Sequence, residues 1–84
     1  MHELSIATGV LDNVVKVATD NKAKSVKSIN LVIGESRAVI AEALDNAFDA
    51  LREVEDYNLC KNSTINTKYV EGHDIYIEQI EVES

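Results

Sequence analysis

Residues 25–51 read SVKSINLVIGESRAVIAEALDNAFDAL, and inside this stretch the apolar period changes from two to about 3.6. Ile29, Leu31 and Ile33 alternate with Ser28, Asn30 and Val32, which predicts a strand over residues 25–33. Gly34 stops it. Ile40, Ala43, Leu44, Ala47, Phe48 and Leu51 then fall on one stripe of a helix, which Val54 extends, while Glu42, Asp45, Asp49, Arg52 and Glu53 take the other side. Ser36 stands where an N-cap is wanted. A strand running into an amphipathic helix points to a crossover unit, hence to a mixed or parallel sheet with helices packed on it.

Residues 4–20 carry a second helical stripe, Leu4, Ala7, Leu11, Val14 and Ala18, widened by Val10 and Val17. Asp12, Lys16 and Asp20 lie opposite, and Asp20-Asn21 marks the end. Gly9 and the valines are poor helix formers, so packing must hold this helix. On the other side, after a polar stretch through Asn58–Ser63, Ile65, Thr67 and Tyr69 alternate in a strand. Glu71-Gly72 predicts a tight turn, with Gly72 free to take positive φ. In the last strand Ile75 and Ile77 share a face, and Ile80 and Val82 share it again in shifted phase. One extra residue near Glu78-Gln79, a β-bulge, restores the alternation. The expected fold is a single α+β domain over residues 1–84, two helices packed on a three-stranded mixed sheet in the order α-β-α-β-β. The tight turn predicts that the last two strands pair antiparallel.

Composition narrows the function classes. Eighty-four residues allow one domain with a small core, and four aromatics make that core aliphatic. The net charge of −7 is uneven: residues 1–34 balance at +1 and residues 35–84 at −8. Such a surface repels nucleic acid and anionic membrane. The N-terminus has neither a basic region nor a long apolar run, so we expect no signal peptide and a cytoplasmic location. Cys60 is the only cysteine, which leaves no disulfide and no CxxC pair, and it reads as a small apolar residue.

Catalytic constellations are missing: there is no nucleophile elbow, phosphate loop or HExxH, and we expect no enzyme activity. Glu42, Asp45 and Asp49 share a helix face but read as a solvated surface. His73 sits beside the Glu71-Gly72 turn and reads as a surface residue. What remains is the N-terminus. His2 directly follows Met1, which places an imidazole beside a free amine and two backbone amides, a nitrogen set suited to a planar cation such as Ni(II) or Cu(II).

Met1-His2-Glu3-Leu4-Ser5-Ile6-Ala7 before an apolar helix resembles the HypA/HybF family of nickel-insertion proteins of hydrogenase and urease maturation. The likeness continues through Leu31-Val32-Ile33-Gly34-Glu35, Glu42-Ala43-Leu44 with Ala47-Phe48, and Ile80-Glu81-Val82-Glu83. At Ala41 the family usually has proline. The resemblance implies a nickel metallochaperone with Ni(II) as cargo, held by His2, Met1 and Glu3. It further implies a nickel-enzyme precursor and a nickel-maturation GTPase as partners. The family's zinc domain, with two CxxC pairs, is inserted before the last strand; here Glu71-Gly72 closes that gap and no zinc is expected. An alternative stands beside this reading, a divergent relative acting as a metal-free protein-interaction module.

Overall fold

The strand predicted from the opening stretch is the centre of the molecule. In a computed structural model that describes residues 2–84, the elements run α1 (Glu3–Asp20), β1 (Ser25–Gly34), a 3-10 turn (Glu35–Arg37), α2 (Ala41–Arg52), a longer 3-10 segment (Glu55–Cys60), β2 (Thr64–Val70) and β3 (Ile75–Glu83). The sheet order is β2-β1-β3, with β2 parallel and β3 antiparallel to β1. Both helices cover one face, as expected.

The β1 side chains explain its central place. Leu31, Val32, Ile33 and Gly34 are buried in succession, as fits a strand with a partner on each side. Ile29, Leu31 and Ile33 join Leu11, Val14, Leu44, Phe48 and Cys60 in the helix-side core. Val32 faces the other way and is flanked in register by Lys68 of β2 and Tyr76 of β3. The bulge expected near Glu78-Gln79 is present. Gln79 pairs with Asn30 and Ile77 with Leu31, so Glu78 is the extra residue. A second irregularity, at Lys27 between Val26 and Ser28, carries no signal in the sequence.

One expected pairing is corrected. β2 and β3 do not form a hairpin; they lie on opposite sides of β1. Glu71–Asp74 is therefore a strap that crosses the end of β1, spanning two strand spacings of about 4.8 Å each. The crossing is tight. A Cβ placed on Gly34 would meet the Gly72 carbonyl oxygen at 2.4 Å, so only glycine fits beneath the strap. Gly72 takes φ 109°, the conformation anticipated for it.

The strap also accounts for Ser36. It does not cap α2, whose N-cap is Ile40 without a side-chain bond. Its hydroxyl and its backbone N–H both donate to the Gly72 carbonyl, at 2.6 and 3.0 Å. Four expected stripe positions also move outward: Leu4, Val17, Ile40 and Val54 are 59%, 46%, 62% and 43% exposed. Leu4 and Val54 sit at the ends of their stripes, beyond the reach of the sheet. The polar stretch Asn58–Ser63 holds two buried residues, Cys60 and Ser63. The Ser63 hydroxyl donates to the Cys60 carbonyl at 2.7 Å, and Arg52 donates to the Ser63 carbonyl.

Candidate metal site at the start of the first helix

His2 is the N-cap of α1, with φ −88° and ψ 75° and an exposed side chain. Its carbonyl accepts the N–H of Ile6 at 3.1 Å, the first bond of the helix. The backbone nitrogens of His2 and Glu3 come before that bond, and helical geometry gives them no i−4 partner. A cation could take them without breaking a helical hydrogen bond. The partial positive charge at a helix N-terminus opposes a bare cation but favours an amide nitrogen that has lost its proton. That combination suits a metal that displaces amide protons.

Glu3 has a different place from the one its sequence position suggests. Its carboxylate accepts the N–H of Ile40 at 3.0 Å, joining the start of α1 to the start of α2. This bond, with a smaller contribution from the residue's own N–H, holds the Glu3 carboxyl below its ordinary value of 4.5. The carboxylate is thus kept ionised and anchored beside His2, where it favours a nearby cation. Ile40 was not legible as part of this site, because it contributes a backbone N–H rather than a side chain. Met1, the third expected ligand, lies outside the described residues.

The other candidates stay apart. His73 is exposed in the strap and its carbonyl accepts from Arg37 Nε at 2.5 Å. Ile75 and Tyr76 do share a hollow with Ser5 and Ile6, so the start of β3 approaches the first turn of α1. Even so, among the described residues no group of three or more His, Cys, Asp or Glu side chains gathers around a cation position. A cation held at His2 would therefore have to draw on backbone nitrogen. Asp49 is paired with Arg52 at 2.6 Å on the exposed face of α2, where Glu42 and Asp45 are also exposed. Burial pushes the Cys60 thiol up to about 11, so it remains a protonated core group.

The family model described as hydrogenase/urease nickel incorporation, metallochaperone, HypA matches residues 1–63. A hydrogenase maturation factor HypA of Methanococcus vannielii is 36% identical over 75 residues, covering 83% of this chain and 58% of that protein. The chain belongs to the HypA family.

A HypA of Dehalococcoides mccartyi is 42% identical over 53 residues, covering 63% of this chain and 44% of its own length. The chain thus spans about half the length of the curated HypA proteins it matches. The solution structure of the Ni metallochaperone HypA from Helicobacter pylori superimposes with a TM-score of 0.72 at 18% identity, over 100% of this chain and 95% of that one. At that identity the likeness speaks for the α+β fold. No helix of the described residues is long and apolar enough to cross a membrane.

Proposed function

We propose that this HypA-family chain is a nickel chaperone that binds one Ni(II) through the His2 imidazole and nearby backbone nitrogens, with Met1 or Glu3 completing the set. The observation that carries the reading is the N-cap position of an exposed His2, ahead of the first helical hydrogen bond. Glu3, anchored to Ile40, supplies a fixed negative charge at the same place. The role is capture and delivery without turnover. A nickel-enzyme precursor would receive the ion, and a nickel-maturation GTPase would act with the chain, as the family relationship suggests. Zinc has no part in this reading, since one buried cysteine and two histidines do not make a closed tetrahedral set.

Isothermal titration of untagged protein with Ni(II) tests it. Wild type is expected to bind one ion, more weakly as pH falls, because protons compete for the same nitrogens. His2→Ala is expected to lose binding with its fold intact, as residue 2 precedes α1, and His73→Ala to bind as wild type. Unchanged affinity in His2→Ala overturns the proposal and leaves the metal-free interaction module.

A further inference from the structure

β3 ends the sheet. It pairs with β1 on one side, and no described strand pairs with the other. Along that free edge runs a trough whose second wall is α1. Three hollows make it up, of about 330, 300 and 300 Å³. Their linings advance in step: Ser5 to Asn13 with Ile75 to Ile77, then Asn13 to Val17 with Ile77 to Ile80, then Val17 to Asn21 with Ile80 to Ser84. Shared residues at each junction make the three one channel. Nine strand residues rise about 30 Å and eighteen helical residues about 27 Å, so the walls match in length.

The trough is apolar where Ile6, Val10, Val14, Val17, Ile77 and Ile80 line it. Gly9 widens it, since a Cβ there would meet nothing within 4 Å. Glycine inside a helix is otherwise unfavourable. An edge strand also offers unpaired N–H and C=O groups, which suits recognition by strand addition. Charge decides among occupants. Residues 71–84 carry Glu71, Asp74, Glu78, Glu81 and Glu83 with no lysine or arginine; Glu78 lies 3.6 Å from Lys68 of β2, and Arg37 lines the first hollow. A second copy pairing through β3 would bring these acids among their own kind, and like charges on neighbouring strands are destabilising.

We propose that the trough between α1 and the free edge of β3 docks an extended segment of a partner protein, added as a fourth strand, with apolar side chains turned toward α1 and basic ones toward the β3 acids. The trough meets the His2 end of α1 only at Ser5 and Ile6, and its occupancy is tested independently of nickel binding.

The probe is a capped peptide matched in length to β3 and alternating valine with lysine, titrated into the full chain and followed by amide NMR. Saturable shifts are expected in residues 75–83 and on the Ser5–Val17 flank of α1, with slowed exchange of outward β3 amides and weakening as salt rises. A valine/glutamate peptide, and the lysine peptide N-methylated at alternate amides, are expected to bind at least about tenfold more weakly. Gly9→Leu, which fills the trough and favours the helix, is expected to abolish peptide binding while leaving nickel binding. His2→Ala is expected to do the reverse. The proposal is overturned by absence of saturable binding, equal binding of the acidic or N-methylated peptide, shifts confined to other surfaces, an unaffected Gly9→Leu variant, or self-association through β3.

Discussion

Residues 7–63 and residues 64–84 are held in the fold by different means. Every fully buried residue among those described lies in the first region, from Ala7 to Ser63. β2 and β3 contribute only half-buried side chains, such as Ile65, Ile75, Ile77, Ile80 and Val82, and are held chiefly by their backbone ladders to β1 and by the strap. The family match over residues 1–63 ends where the buried residues end. Side-chain packing determines the first region closely, because interiors tolerate little change of volume. The second is an outer cover whose position depends on register and on one close glycine contact.

Core truncation gives the largest effect that would sharpen this contrast. Phe48→Ala, at a residue 2% exposed, is expected to cost about 3–5 kcal/mol, a large share of the stability of so small a domain. Ile77→Ala in β3 is expected to cost clearly less, because its side chain is only partly removed from water. Urea denaturation of both variants measures the difference, and equal losses would break the comparison.

A smaller effect is expected at the strap. Gly34→Ala places a methyl against backbone, which must move, for a cost of about 1–3 kcal/mol. The disturbance is expected to be local. The Gly34 N–H, donated to Asp74 at 2.7 Å, and the Ser36 N–H should exchange faster, while amides of α2 keep their protection. Uniform loss of protection would show that strap and core are one unit.

Glu3→Gln is expected to have the smallest effect on stability. The folded carboxyl titrates below its unfolded value, so its contribution is complete above that unfolded value and is lost as pH falls through the folded one. Thermal melts of wild type and Glu3→Gln are therefore expected to differ at neutral pH and to converge in acid. A gap that widens in acid would contradict the Glu3–Ile40 bond.

Much of this fold was legible because it rests on periodicity. The change of period around Gly34 located β1 and α2, and the phase shift between Ile77 and Ile80 located the bulge at Glu78. What stayed hidden depends on contacts between distant residues. Glu71-Gly72 has the composition of a hairpin turn, yet the unbroken burial of Leu31 through Gly34 puts β1 in the centre and forces β3 across it. Ser36 has the chemistry of a cap, but the nearby Gly72 carbonyl takes both its donors. At the candidate site His2 was readable from position alone. The tie from Glu3 to Ile40 was not, since a backbone N–H has no signature in sequence.

Nickel capture at the start of α1 is read out by amide NMR of untagged, isotope-labelled protein titrated with Ni(II). One equivalent is expected to remove the His2 and Glu3 amide signals, as nickel replaces their protons, and to shift Ile6 and Ile40 while the strap at Glu71–Asp74 is unchanged. Retention of both amide signals with changes centred on His73 or on the acids of α2 would contradict it.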